Sequence, residues 1–272
     1  MDWSKAKSIL IMVFLVLNIF LAGNLIYIDS STKASKDSIE ALKQVLSGKG
    51  VRIDCEVPGA SGNLGMLNYE KSKFNRNKLV GKLIGPDFGQ NVTDYYSAGS
   101  KNLIFKNDNT FVYTDTNPKS SADIKNSNSA EKYLKNYLSG TGIPVKSYVL
   151  DLYNENPDRS IKITLVQKYR SYLIFDNYIE AQITNEGIKM LNVSFKKVDA
   201  LTNNKTNLKP ILNILLTSFK DNNDLIITQI NLGFQGYNIE SGVKEYYERP
   251  VWRVRSNKGD MIFNAYDGSR IQ

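Results

Sequence analysis

From Ile9 to Ile28 the chain reads ILIMVFLVLNIFLAGNLIYI, twenty residues without a formal charge. As a helix rising about 1.5 Å per residue, this stretch is roughly 30 Å long, the thickness of a bilayer's hydrocarbon core. It reads as a membrane span or a signal peptide. A signal peptide needs a small-x-small cleavage site after a short apolar region, and the best candidate, Leu21-Ala22-Gly23, places a leucine where a small residue is wanted. No cysteine follows for lipid attachment, so an uncleaved anchor fits better. Lys5, Lys7 and the amine precede the span while Lys33 and Lys36 follow it, which leaves little charge bias. The short N-terminal segment and the long polar chain after the span favour a single-pass protein of the cell membrane, N-terminus cytoplasmic and C-terminal region extracytoplasmic.

Asn18 stands at the middle of the span, where a bare amide in hydrocarbon is costly and commonly turns toward another helix. Phe14, Asn18 and Ala22 follow i, i+4 spacing and form one stripe that pairs a polar group with a small residue. This stripe is the candidate transmembrane partner interface. The alternative, an amide bonded to its own helix backbone, stays open on sequence alone.

The chain has 35 Lys+Arg against 27 Asp+Glu, a net charge of +8. The two acids and two bases of the first 29 residues cancel, so the whole excess belongs to the region after the span. A positive outer region suits an anionic membrane surface or wall polymer, but no Lys/Arg run is dense enough to mark a patch, and charge that merely maintains solubility explains the excess as well. Nucleic acid is not an expected partner outside the cell. The 42% hydrophobic and 23% charged fractions argue against general disorder and against a polytopic membrane protein.

Histidine is absent and Cys55 is the only cysteine. Ser-His-Asp and Cys-His catalysis, HExxH zinc sites and an imidazole pH switch are thereby excluded, as are an intramolecular disulfide and a zinc knuckle. Cys55 is read as a small buried residue.

After the span, Asp37-Ser38-Ile39-Glu40 reads as a capping box that opens a short helix with Ile39, Leu42, Val45 and Leu46 on one side, closed by Gly48 and Gly50. Residues 29–50 are expected to form a stalk. A strand at Val51 to Val57, a helix near Asn75 to Leu83, and a hairpin of Asn102 to Lys106 and Phe111 to Thr114 around Asn107-Asp108-Asn109 follow. The Pro/Ser/Asn-rich stretch Asn117 to Ser129 and a helix carrying Tyr133, Leu134, Tyr137 and Leu138 lead to an expected boundary at 143/144. Beyond it, strands are expected at Ser147 to Tyr153, Ile161 to Tyr169, Tyr178 to Thr184, Ile188 to Val198, Leu225 to Leu232, Tyr237 to Tyr247, Trp252 to Arg255 and Met261 to Tyr266, with a helix after Pro210. The expected organisation is a cytoplasmic N-terminus (1–8), a transmembrane helix (9–28), the stalk (29–50), and two extracytoplasmic subdomains (51–143 and 144–272). The class is α+β, with antiparallel sheets and a few helices.

The search for chemistry returns weak signals. No phosphate-binding glycine loop follows a strand, and Asp221-Asn222-Asn223-Asp224 lacks the glycine and glutamate of a calcium loop. SxxK occurs at Ser129 to Lys132 and Ser194 to Lys197 without its companion motifs. Asp151 with Glu155, or Asp221 with Asp224, has the residue types of a glycosidase pair, and the tyrosines suit a sugar groove, but solvated turns and strand cores explain both. Neither a catalytic residue, a cofactor site nor a metal site is expected.

The opening Met1-Asp2-Trp3-Ser4-Lys5-Ala6-Lys7, running into the apolar span, closely resembles the start of the YycI (also called WalI) family, bitopic membrane proteins of Gram-positive bacteria. Gln167-Lys168-Tyr169 with Leu173-Ile174-Phe175-Asp176, Ile230-Asn231-Leu232-Gly233-Phe234, and Pro250-Val251-Trp252-Arg253-Val254 are similar to the shared YycH/YycI external module. Tyr266-Asp267-Gly268 looks like the closing turn of PepSY-like domains. The resemblance spans both ends and most of the second half. It implies a non-enzymatic regulator that acts with a YycH-like bitopic protein on a WalK (YycG)-type sensor histidine kinase and so affects cell-wall metabolism. Two rivals remain: a wall carbohydrate-binding protein or carboxylate-dependent hydrolase, and a PepSY-like peptidase inhibitor.

Overall fold

The computed structural model of the chain describes residues 7, 10–18, 36–59, 62–71, 73–86, 89–120, 122, 124–219, 224–236 and 247–271, with residues 89–92 described by backbone alone. Residues 10–18 are helical (α1). Then follow α2 (Lys36–Ser47), β1 (Val51–Ile53), β2 (Asn63–Leu64), β3 (Leu67–Tyr69), α3 (Arg76–Leu83), β4 (Gly89–Val92), β5 (Tyr95–Ala98), β6 (Lys101–Asn107) and β7 (Thr110–Asp115). The middle of the chain supplies α4 (Ser127–Tyr137), β8 (Tyr148–Glu155), β9 (Ile161–Tyr169), β10 (Tyr172–Thr184), β11 (Gly187–Ser194) and β12 (Val198–Leu201). The last part is β13 (Thr206–Asn207), α5 (Ile211–Ser218), β14 (Leu225–Gln235), β15 (Tyr247–Ser256) and β16 (Gly259–Asn264). The class is α+β, as expected.

The chain divides into two compact units: Met1–Leu64 with Thr206–Asn231 and Trp252–Gln272, and Gly65–Lys205 with Leu232–Val251. The expected 143/144 boundary therefore falls inside the second unit. The reason is packing: Leu134 and Leu138 of the α4 region share one apolar core with Tyr148, Ile163 and Leu165 from β8 and β9, so no break in burial exists there.

In the first unit, α2 is part of the body and not a stalk. Leu42 and Leu46 are buried, and the helix packs on β1 and α5. Val45, expected on the apolar face, is 48% exposed. Asp37 lies within the first turn of the helix, where a carboxylate complements the helix dipole. β1 pairs in parallel with β14, Val51 opposite Leu225. Parallel partners require a long crossover, so an antiparallel-only reading of the sheets fails here. Trp252 is fully buried, and its indole N–H donates to the Lys209 carbonyl at 3.1 Å. Phe219 and Phe263 meet edge-on at 6.1 Å between ring centroids. A helix, α5, follows Pro210 as expected, with Pro210 at its N-cap, while Asn207, expected to begin the helix opening, ends β13 opposite Asn63.

In the second unit, β8, β9, β10, β11, β7, β6, β5 and β4 lie side by side in that order, each pair antiparallel. β10 also takes a short parallel partner, Leu173 opposite Gly233. The β6–β7 hairpin forms where the sequence places it, and the Asn109 N–H donates to Asn107 Oδ1 at 2.8 Å in the turn. Leu103, Phe105, Phe111 and Tyr113 alternate into the core that α3 and α4 cover. β10 begins at Tyr172, earlier than expected, and β11 ends at Ser194, before Phe195 to Val198. The strand expected from Tyr237 lies outside the described residues up to Tyr247. β3 and β12, not anticipated, pair with each other, and β3 pairs with the start of β15, Glu248 opposite Leu67.

Candidate functional site

Where β3 meets β15, a carboxylate is sealed into the second unit. Glu248 is 2% exposed, in a strand whose neighbours Pro250, Val251 and Trp252 are also buried. The Tyr69 hydroxyl donates to Glu248 Oε2 at 2.5 Å, and Lys196 Nζ donates to Glu248 Oε1 at 2.8 Å. Lys196 also lies 3.7 Å from Asp176 Oδ2 and 5.1 Å from the centre of the Tyr69 ring. Asp176 Oδ2 accepts the Gly236 N–H at 2.9 Å.

The backbone that carries Lys196 is fixed by a second buried amide. Asn177, fully buried, accepts the Lys196 N–H through Oδ1 at 2.8 Å and donates through Nδ2 to the Lys196 carbonyl and to Gln167 Oε1. Such a network is stable only when its polar groups are paired, because an orphaned buried charge costs several kcal/mol.

The electrostatics follow from this burial. Burial first, with the nearby Asp176 charge, pushes the Glu248 carboxyl up to about 7 against the opposing pull of Lys196. Burial acts to lower Lys196, but the Glu248 and Asp176 carboxylates more than offset it and hold the ammonium above its usual range. Tyr69, by burial and then by the Glu248 charge, is pushed well above an ordinary phenol. The group holds a proton near neutral pH, and both Glu248 oxygens are engaged by protein partners rather than turned to a substrate.

The residues singled out from sequence stand elsewhere. Phe14 and Asn18 lie on α1, and the Asn18 amide donates to the Phe14 carbonyl at 2.8 Å, one helical turn back. Ala22 is outside the described residues. The apolar side chains of residues 10–17 are 52% exposed or more. Among the described residues no helix is long and apolar enough to cross a membrane.

Asp151 lies on β8 and Glu155 at its exposed end, Asp224 sits in a turn with φ 57°, and Asp221 is outside the described residues. Asp151, Glu155 and Asp224 are not among the residues that engage Glu248. Ser129 is engaged in capping α4 with Asn126, and Lys197 pairs with Glu70 at 2.7 Å, so neither SxxK forms a nucleophile and base. Cys55 is half-buried, less enclosed than expected, and burial pushes its thiol up, away from the reactive thiolate. No group of three or more Asp, Glu or Cys among the described residues is arranged to hold a metal.

The Glu248 network escaped the sequence reading because its members lie far apart in the chain: Tyr69 and Glu248 are 179 residues apart, Lys196 and Glu248 52. Asp176 lies in the Leu173-Ile174-Phe175-Asp176 motif and Lys196 inside the Ser194 to Lys197 stretch, but neither pattern points to Tyr69 or Glu248.

An α+β body built on a long, largely antiparallel sheet is the class that the fold defines, and the comparisons narrow it. The YycI family model ("YycI protein") matches residues 29–266, so the chain belongs to the YycI family. No curated protein matches the sequence. The fold resembles that of an uncharacterized protein from Eubacterium rectale, at TM-score 0.50 and 11% identity, over 86% of this chain and 98% of that one. It also resembles YycH from Bacillus subtilis, at TM-score 0.54 and 15% identity, over 75% of this chain and 52% of that one. This chain thus spans about half of the YycH chain. Membership of the YycI family supports a role in the YycH/YycI regulatory system.

Proposed function

We propose that the chain is a single-pass, membrane-anchored, non-enzymatic regulator that works outside the cell with a YycH-like partner and biases a WalK (YycG)-type sensor histidine kinase. The observation that carries this reading is the family match over residues 29–266. In the proposal, residues 9–28 anchor the chain with its N-terminus in the cytoplasm, and the two units of the body make the extracytoplasmic contacts. Phe14, Asn18 and Ala22 form the face that meets the kinase helices. The Asn18 amide has two N–H donors and one carbonyl, and its bond to the Phe14 carbonyl leaves one donor and the carbonyl for a neighbouring helix. A regulator of this kind shifts a two-state kinase only by its differential affinity for the two states.

The test is affinity capture of the full-length protein from detergent-solubilised membranes. A sensor kinase and a second bitopic protein are expected in the eluate. Asn18→Leu should reduce kinase recovery severalfold, in line with the ~0.6–2 kcal/mol of an interhelical amide bond, while leaving membrane insertion intact. Absence of both partners from the wild-type eluate overturns the reading, and unchanged recovery with Asn18→Leu removes Asn18 from the interface.

A further inference from the structure

The second unit contains a concavity of about 700 Å³ that has no part in the Glu248 network. Three lysines from three separate elements surround it: Lys82 of α3, Lys101 at the start of β6, and Lys119 in the segment after β7. Its floor includes Tyr113, Asp115, Ser100 and Tyr137. Such a volume falls within the range of small-molecule sites, ~300–1,000 Å³.

The charges in this concavity do not cancel. Lys73, Lys135, Lys162, Lys196 and Lys197 of the same unit each pair with an acid within 3 Å, whereas Lys82, Lys101 and Lys119 form no ion pair among the described residues. Among the described residues of the lining Asp115 is the sole acid, and it is 5% exposed. Its carboxylate is taken by the floor itself: Oδ1 accepts the Ser100 hydroxyl at 2.7 Å and the Asn117 N–H at 3.0 Å, and Oδ2 faces the Tyr113 hydroxyl at 3.4 Å. Three cations around one engaged carboxylate make a positive cleft, and low-dielectric walls concentrate its field.

The concavity is also preformed. The Thr116 N–H donates to the Ser100 carbonyl at 3.1 Å, joining the two sides of the floor. The Ala122 N–H donates to the Asn185 carbonyl at 3.0 Å, which pins the segment that carries Lys119 to the β10–β11 turn. At that turn Gly187 has φ 130°, and a Cβ there would meet the Ser120 carbonyl at 2.9 Å, so only glycine lets the two segments approach. Ser100, Ser120 and Asn117 add neutral hydrogen-bonding groups to the lining.

We infer that this cleft binds a small anion that carries phosphate or carboxylate groups together with hydroxyls, the lysines holding the charge and the Ser, Asn and Tyr groups the hydroxyls. The inference stands independently of the regulatory reading. The test is isothermal titration of the full-length protein in dodecyl maltoside micelles at low salt with sn-glycerol 3-phosphate, with D-glucuronate, and with glycerol as the neutral control. Saturable 1:1 binding of at least one of the two anions is expected, with no heat from glycerol; which anion binds assigns the phosphate or the carboxylate. Lys82→Gln, Lys101→Gln and Lys119→Gln should each weaken it roughly tenfold, the loss of one charge-assisted contact, and the triple variant should abolish it. Lys162→Gln, which removes a lysine paired with Glu180 at 2.7 Å, should leave binding unchanged. The inference is overturned if neither anion binds saturably into the millimolar range, if glycerol binds equally, if the triple variant binds as the wild type does, or if Lys162→Gln weakens binding as much as the cleft variants.

Discussion

Glu248 should make the protein less stable as pH rises through neutrality. Its carboxyl titrates at about 7 in the folded protein and near the ordinary value of 4.5 when unfolded. Between those values the folded state keeps a proton that the unfolded chain has released, so the slope of unfolding free energy with pH is negative. The stability difference is absent below 4.5 and complete above about 7, and amounts to about 3 kcal/mol at ~1.4 kcal/mol per pH unit. Acids with lowered values, such as Asp54 and Asp158, are fully exposed and act near or below 3.8, outside this window. Glu248→Gln is neutral at every pH and keeps an oxygen for the Tyr69 hydroxyl or Lys196. The assay is urea unfolding of the full-length protein in micelles, followed by far-UV circular dichroism at half-unit steps from pH 5 to 8. Wild type minus variant should fall by about 2–3 kcal/mol across the series. Parallel pH profiles for the two proteins would refute the assignment, because they would show that Glu248 does not change its protonation between folded and unfolded states in this range.

Trp252→Ala should destabilise the first unit by about 3–5 kcal/mol, since a fully buried indole and its bond to the Lys209 carbonyl are lost; thermal unfolding measures it, and a loss under 1 kcal/mol contradicts the packing. Gly233→Ala should cost about 1–3 kcal/mol, because the new Cβ would lie 2.4 Å from the Leu173 carbonyl and 2.7 Å from the Phe175 ring, and unchanged urea midpoints would refute that close approach. Cys55 should alkylate with iodoacetamide at pH 7 more slowly than free cysteine, as burial raises its thiol; a rate above that of free cysteine would refute the environment described.

Much of the fold was legible because it rests on local signals. β9 occupies the expected Ile161–Tyr169, α3 and α5 begin where Asn75 and Pro210 mark them, and the 107–109 turn joins the predicted hairpin. Each depends on residues within a few positions of one another. The domain division was not legible, because the composition shift at Asn117 to Ser129 marks no break in burial: Ala122 within it and Ala130 just after it share the one core. The stalk reading failed for a related reason, since Leu42 and Leu46 reveal an apolar face but not that β1 and α5 cover it. Parallel pairing was hidden as well, because Val51 and Leu225 become neighbours only through the fold.

The Glu248 network shows why such a site stays out of reach of pattern reading even when every member is in view. Tyr69, Asp176, Lys196 and Glu248 come from β3, β10, the segment after β11 and β15, and the group is complete only when all four are in register. Its net contribution to stability is small, because desolvation of a buried carboxylate and a mostly buried ammonium offsets most of their attraction. Removing one member is nevertheless costly, since the others are left charged and unpaired. The two statements are compatible only if the network selects among arrangements of the strands more than it deepens the energy of one. A slip of β15 by a single residue would turn Glu248 to the opposite face and carry it away from Tyr69 and Lys196 together. The network therefore fixes the register of β3 against β15, and it does so on the strand that carries the Pro-Val-Trp-Arg-Val motif, of which Pro250 and Val251 belong to the second unit and Trp252 to Val254 to the first.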